Sequence, residues 1–434
     1  MKRLPALLLT LVFSPALHAE NIMEIYQAAQ GKDATFASAR AAHRAGQEKL
    51  PQGRALLLPS VNLSADTTSN HIDRSGTATN YNSNGYTLSL SQPIYRKQNF
   101  AQYEEAKSQA AQAETQYSIA EQDLILRVAS AYFDVLLAQD NVTLAGAQKA
   151  AIAEQLAQAK RNFEVGTATI TDTHDAQARY DLTTAQEIAA KNDLEVKKSA
   201  LQKIVGTIPG QLARLSEKFP LKLPDPNDMA QWVATAEQQN LQLQLQKAAL
   251  DIASQEVERN RGGHYPTLDL VASYSDRNNA NAAFGLSGET KSTAVGVQLN
   301  LPIYQGGGTS SRVREAVANL DKAREDYEDA KRQVVLQTRQ AFLGVTSGEA
   351  QVKALEAALV SSQSSLDSTK LGFEVGVRTG VDVLNAQQQF YSAERDLYQA
   401  RYNYIISQLN LKAAVGTLGE SDLTQVNGWL TEAK

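Results

Sequence analysis

The chain has 434 residues, a formal net charge of −5, 21% charged and 6% aromatic residues, and no cysteine. That balance gives no electrostatic case for a nucleic-acid partner, and five histidines without cysteine leave few candidates for a transition-metal site. Scarce aromatics beside abundant Ala and Gln favour long helices with narrow apolar seams over a large aromatic core.

The N-terminus reads as a secretory signal. Lys2 and Arg3 precede the apolar run Leu7 to Phe13, and Ala16-Leu17-His18-Ala19 offers a cleavage site, so residues 1–19 are expected to be a signal peptide. No cysteine follows it, so no lipid anchor is expected, and after residue 20 no run of eighteen apolar residues predicts a spanning helix. Val61, Leu63 and Ala65 then alternate with Asn62, Ser64 and Asp66, and Leu88 and Leu90 with Thr87, Ser89 and Ser91. This period of two predicts two strands, and the Asn-, Ser- and Thr-rich segment Thr68 to Gly85 reads as a polar loop between them.

Proline, which removes a helix donor and clashes with the preceding turn, is absent between Pro93 and Pro209. From Lys97 to Asn162 this leaves 66 residues, about 100 Å if continuously helical. Leu124, Val128, Ala131 and Val135 fall at the steps of a helical stripe. A tight turn at Phe163-Glu164-Val165-Gly166 sends the chain back into a helix stopped by Val205-Gly206-Thr207. Pro220, Pro224 and Pro226 mark a linker.

The second half repeats the plan. Leu268, Leu270, Ala272 and Tyr274 alternate, as do Val295, Val297, Leu299, Leu301 and Ile303, with the polar segment Arg277 to Ser292 between them. After Gly306-Gly307-Gly308 a helix is predicted from about Ser310 to Lys370, then a turn, then a helix from about Val381 to Val415. Ala341, Phe342 and Val345 answer Ala131, Tyr132 and Val135 at an offset of 210 residues. At the same offset Phe373-Glu374-Val375-Gly376 answers the first turn, with eight identities in the eighteen positions from Phe163 and Phe373. Leu411 through Val415-Gly416-Thr417 answers Leu201 through Val205-Gly206-Thr207. The expected organisation is therefore a duplication, with repeats at 20–228 and 229–434, each a helix, two strands and a long helical hairpin.

Ten-residue segments with one apolar and one small or polar face suit an outer-membrane β-barrel, where every backbone group must pair around a closed ring. Tyr86, Tyr95, Tyr274 and Tyr304 stand near the expected strand ends, where an aromatic belt would sit. The same alternation also suits a sandwich domain of a soluble periplasmic protein. Four strands cannot close a barrel alone, so the barrel reading requires an oligomer, and three chains would supply twelve strands.

The segments Leu299 to Gly307 (LNLPIYQGG), Val375 to Leu384 (VGVRTGVDVL) and Ala400 to Leu411 (ARYNYIISQLNL), with Ala16 to Met23 and Phe163 to Asp172, resemble the TolC family of outer-membrane efflux and secretion channels. The resemblance extends over essentially the whole mature chain. It implies an α+β membrane protein whose duplicated protomer, with four β-strands and long helical hairpins, trimerises into a 12-stranded outer-membrane β-barrel continued by a periplasmic α-helical barrel. The implied function is an exit duct for drug efflux, type I protein secretion or both, located in the outer membrane and reaching into the periplasm. The implied partners are two further copies of the chain, a periplasmic adaptor protein, an inner-membrane pump of RND, ABC or MFS type, and outer-membrane lipid. No cofactor and no covalent chemistry are implied.

At the turns, glycine accepts the positive φ of a tight reversal, and Asp172 and Asp382 stand where carboxylates suit a helix start. On the residues alone two readings stand level: helix-start residues with no gating role, or members of a gate. The resemblance implies more: an iris at the periplasmic tip formed by the turns around Gly166 and Gly376, where adaptor and pump dock. In it Arg378 would bridge to Thr171 and Asp172, and Asp382 would project into the pore as a ring of three carboxylates. Two departures from the family pattern follow. Asn385 stands where a second ring aspartate is usual, so three carboxylates rather than six are expected, with weaker cation selectivity and divalent block. Phe373 replaces a latch tyrosine, so the latch would rest mainly on Arg378 with Asp172.

Other motifs carry less. Gly306-Gly307-Gly308 lacks the Gly-Lys-Ser/Thr of a phosphate loop and reads as a strand-to-helix switch, a place taken by Gln98-Asn99 in the first half. His174-Asp175 has no nucleophile pattern beside it and reads as a polar helix face. Two alternative readings remain: a periplasmic adaptor with helical hairpins, against which the duplication and paired strands count, and a secreted hydrolase, for which no catalytic constellation can be named.

Overall fold

A computed structural model describes residues 19–431 apart from Ser75, Glu217 and residues 281–287. The expected signal peptide therefore lies outside the described residues up to residue 18, as does the middle of the segment Arg277 to Ser292. In chain order the elements are α1 (Ile22–Lys32), α2 (Ala34–Gln47), α3 (Lys49–Ala55), β1 (Ser60–Arg74), β2 (Thr77–Tyr95), α4 (Lys97–Glu164), α5 (Ile170–Val205), β3 (Arg214–Leu215), α6 (Met229–Gln239), α7 (Leu241–Arg261), β4 (Thr267–Ala280), β5 (Gly288–Asn300), α8 (Gly308–Glu374), α9 (Gly380–Ala414), α10 (Glu420–Asn427) and β6 (Leu430–Thr431). The expected α+β character is realised, with four long strands and two helical hairpins. The helices α4 and α8 have 68 and 67 residues, about 100 Å each at 1.5 Å per residue.

The chain folds into two compact units, each drawing on both halves of the sequence. One comprises residues 39–118 and 241–333 and holds the strands β1, β2, β4 and β5. These form one antiparallel sheet in the order β1-β2-β4-β5. Directly paired residues share a face. Val61, Leu90, Ala272 and Val295 form one row, and Leu63, Leu88, Tyr274 and Thr293 the next row on the same face. Val61, Leu63, Val295, Val297 and Leu299 of this apolar face are exposed. Six residue steps from Leu268 to Tyr274 make the band about 20 Å tall, close to the lipid-facing band of outer-membrane barrels. The opposite face carries the row Ser64, Thr87, Ser275 and Ser292.

The strands are longer than the sequence suggests. The expected loop Thr68 to Gly85 is almost all strand, with Thr68 paired to Ser83 and Asp73 to Ala78, and the described parts of Arg277 to Ser292 likewise pair as Arg277–Thr290 and Asn278–Glu289. Polar Thr, Ser and Asn residues read as loop in one chain, yet their backbones complete a ladder once a partner strand is present. Tyr86 and Tyr274 consequently lie inside strands, with ring centroids 6.2 Å apart. At its other end β5 stops at Asn300 and excludes Leu301 and Ile303, because Pro302 has no N–H to give the ladder. At Gly85 an added Cβ would stand 2.7 Å from the Asp276 carbonyl oxygen. The bare backbone there lets β2 and β4 approach closely, and Arg277 reaches over it to Asp66 on β1 at 3.0 Å. No helix among the described residues is long and apolar enough to cross a membrane.

The other unit comprises, among the described residues, 19–38, 119–240 and 334–431. Of the predicted stripe, Leu124, Val128 and Val135 are buried on α4 and Ala131 is half-buried; on α8 Phe342 and Val345 are buried and Ala341 is half-buried. Tyr132 is fully buried and its hydroxyl donates to the carbonyl oxygens of Ala213 at 2.8 Å and Glu20 at 3.2 Å. Its ring meets Phe133 edge-on, and Phe133 packs against Tyr402.

Asp33, only 4% exposed, joins α1 to α2. It caps α2 through the Phe36 N–H at 2.6 Å and accepts two hydrogen bonds of 3.0 Å from Arg127 on α4. The Arg127 hydrogen bonds, partly opposed by burial, hold the Asp33 carboxyl below its ordinary 3.8. A depressed carboxyl stabilises the fold above its unfolded pKa, and that stabilisation is lost as pH falls through the folded value. Arg127→Ala is expected to cost about 2–3 kcal/mol by leaving a buried carboxylate without its partner. Urea titrations of parent and variant should show the full difference at pH 5–7 and a shrinking one below pH 3.8.

Candidate functional site

The two helical turns are built bond for bond alike. In the first, α4 ends as the Gly166 N–H donates to Phe163 O (3.0 Å) and the Thr167 N–H to Asn162 O (2.8 Å). In the second, α8 ends as the Gly376 N–H donates to Phe373 O (3.1 Å) and the Val377 N–H to Gly372 O (2.9 Å). Gly166 and Gly376 stand at φ +77° and +81°, the left-handed region that closes a helix C-terminus and that side chains disfavour.

Each returning helix then opens with a capping box. The Asp172 carboxylate accepts from the Thr169 N–H (3.0 Å) and hydroxyl (2.9 Å), while the Asp172 N–H donates to the Thr169 hydroxyl oxygen (3.3 Å). Asp382 and Thr379 repeat the arrangement at 2.9, 2.9 and 3.2 Å. These bonds satisfy helix donors that otherwise have no partner. The backbone and hydroxyl bonds from Thr379, aided by the charge of Arg378, keep the Asp382 carboxyl below its ordinary value, so it is anionic throughout the neutral range.

A cavity of about 440 Å³ lies between the turns, and Asp172, Phe373, Gly376 and Arg378 all line it. The structure thus brings together four of the residues singled out from sequence. Thr171 is exposed and outside that lining, and Gly166 forms its turn without lining it. Arg378 is exposed, with its stem folded over Gly372, where an added Cβ would meet Arg378 Cγ at 2.8 Å. Among the described residues, Asp172 is bonded within its own capping box and receives no hydrogen bond from Arg378. His174 and Asp175 are both exposed on α5, as a polar helix face requires.

Asp382 and Asn385 lie three residues apart on α9, on one helix face. Asn385 Oδ1 accepts from Arg179 Nη2 of α5 at 2.8 Å, and Arg179 Nη1 donates to Gln388 Oε1. The sequence reading passed over Arg179 and Gln388. A single basic residue on a polar helix face carries no local signal, and its partners stand 206 and 209 residues away. Also unanticipated is the apolar cluster of Ile152, Leu156, Ala176 and Leu384, with Ala159 and Tyr180 beside it, which packs the first hairpin against α9.

The family model described as outer membrane efflux protein matches residues 25–207 and 232–417. The chain is 38% identical over 423 residues to the outer membrane protein TolC of Vibrio cholerae serotype O1, covering 97% of this chain and 96% of that protein. It is 31% identical over 447 residues to the proteases secretion protein PrtF of Dickeya chrysanthemi, covering 99% and 96%. In fold it is similar to the crystal structure of the CmeC outer membrane channel of Campylobacter jejuni, with a TM-score of 0.81 at 19% identity over 95% of this chain and 90% of that one.

Removing either cap tests the geometry of the turns. Thr169→Ala and Thr379→Ala should each cost about 1 kcal/mol. The loss should appear as faster amide hydrogen exchange in the first turn of α5 or α9, with the middle of each helix unchanged.

Proposed function

The chain belongs to the outer membrane efflux protein family, and on that premise we propose that three copies assemble into an exit duct whose periplasmic tip is gated by the paired helical turns. As an outer-membrane export channel it carries substrates across the outer membrane and extends into the periplasm. The family's description as an efflux protein and a relative named for protease secretion support service in both drug efflux and type I secretion.

The observation that carries the assembly is the two-faced, open sheet. Its apolar face suits lipid and its polar face a water-filled lumen, while β1 and β5 are left as edges. Strand groups unpaired in lipid cost several kcal/mol each, so the edges require neighbours. The strand order lets β5 of one copy pair antiparallel with β1 of the next, a head-to-tail contact that closes into a ring. Two copies would give eight strands, whose interior is filled by side chains, whereas three give twelve and an open lumen. The adaptor reading is not favoured, since the family match extends over both hairpins and both strand pairs.

At the tip, the exposed Arg378 is the partner that would close the gate. Its guanidinium is free of the capping boxes and lines the same cavity as Asp172, so a bridge to Thr171 and Asp172 needs a side-chain movement and no refolding of the turn. Phe373 contributes packing there and no hydroxyl. Asp382, held anionic, supplies one carboxylate per copy to the constriction, with Asn385 one step further along α9. The turns at Gly166 and Gly376 form the surface offered to a periplasmic adaptor and, through it, to an inner-membrane pump.

Single-channel recording of the purified protein in planar bilayers tests this reading. The parent should pass a small, stable, cation-preferring current. Arg378→Ser should enlarge it several-fold, and Asp382→Ala should lower its cation preference. A large current that neither change affects would retain the duct and discard this gate.

A further inference from the structure

We propose that Arg179 is a selectivity-determining residue of the duct: a fixed cation placed beside the constriction that offsets the charge of the Asp382 ring. This rests on the reading of Asp382 and Asn385 as constriction residues and specifies what passes them. Asp382, Asn385 and Gln388 follow one another at three-residue steps along a stripe of α9, so each is about 4.5 Å of helix rise beyond the last. Arg179 reaches this stripe from α5 and donates from its two terminal nitrogens, one to Asn385 at 2.8 Å and one to Gln388.

Both acceptors are neutral amides. They orient the guanidinium without cancelling its charge, unlike the carboxylates that neutralise Arg127 and Arg259 elsewhere in the chain. Asp175, one turn before Arg179 on α5, forms no ion pair with it among the described residues, and Asp181 is taken by a hydrogen bond from Gln177. The guanidinium is half-buried, a planar fork held by two fixed contacts. Beyond the Asp172 and Arg378 of the turns, each copy of the chain therefore brings one carboxylate, Asp382, and one guanidinium, Arg179, to the same stretch of α9. In a trimer the ring of three negative charges is followed, one to two helical turns along, by a ring of three positive ones. The cation preference set by the carboxylates is thereby weakened, and the narrow path repels anionic substrates less than a purely carboxylate ring would. Asn385 is part of the same arrangement, because its amide oxygen anchors the cation.

Reversal potentials under a KCl gradient, measured on the full-length trimer, test this. Arg179→Gln keeps a hydrogen-bond donor and removes the charge, so it should raise the potassium-over-chloride permeability ratio about twofold or more. Arg179→Lys, which keeps the charge, should stay near the parent, and Asp382→Ala should lower the ratio. If Arg179→Gln leaves the ratio unchanged while Asp382→Ala lowers it, the proposal fails and the constriction stands. Equal shifts in Arg179→Gln and Arg179→Lys would make the residue a positioning clamp and overturn the charge argument. No shift in any variant would remove the constriction reading together with this proposal.

Discussion

In lipid a backbone N–H or C=O has no water to turn to, and the four-stranded sheet of this chain has two edges. That constraint organises most of what the molecule offers. It demands strands whose alternate residues face lipid and water, which the rows led by Val61 and Ser64 provide. On the proposed reading it also leaves the single chain incomplete, since β1 and β5 end the sheet without closing it. Edge strands of this length are aggregation hazards in a soluble protein. Here the long apolar rows and the regular register suit identical edges meeting in a ring. The polar extensions beyond Tyr86 and Tyr274 carry the ladder past the apolar band, and the Arg277–Asp66 bond ties three strands together over Gly85.

The helical half of the fold was legible in the sequence because its signals are local. Absence of proline, glycine at the left-handed stop, aspartate at the helix start and the apolar stripe at Leu124, Val128, Ala131 and Val135 each act within one or two turns of helix. The predicted helix of 66 residues from Lys97 to Asn162 falls two residues short of its observed end at Glu164. The strands were legible only where apolar residues alternate. Thr68 to Gly85 has a loop's composition and a strand's pairing, and the difference lies in partners supplied by tertiary structure. Pro302 was visible, yet the apolar rhythm of Leu299, Leu301 and Ile303 masked its effect on the ladder.

The candidate site divides along the same line. Gly166, Gly376, Asp172 and Asp382 announce themselves because they shape their own turns, and the structure finds them doing so. Arg179 depends on a second helix more than 200 residues away for its meaning, so nothing in its neighbourhood marks it. The capping boxes also bear on how a gate at these turns can work. Asp172 already accepts two hydrogen bonds from Thr169, which fix its carboxylate at the mouth of α5 before any latch forms. A guanidinium approaching it meets a preorganised acceptor, with no side-chain entropy left to lose on the acid side. The same exposure to water holds such a surface pair to about 1 kcal/mol or less. In the proposed trimer a latch of that strength, repeated three times by symmetry, would hold the tip shut in aggregate while each copy could be released by a modest push from a docking partner. The apolar cluster around Ile152 and Leu384 supplies the other half of the balance, since it packs the first hairpin against α9 with Arg378 and Asp172 unbonded to each other.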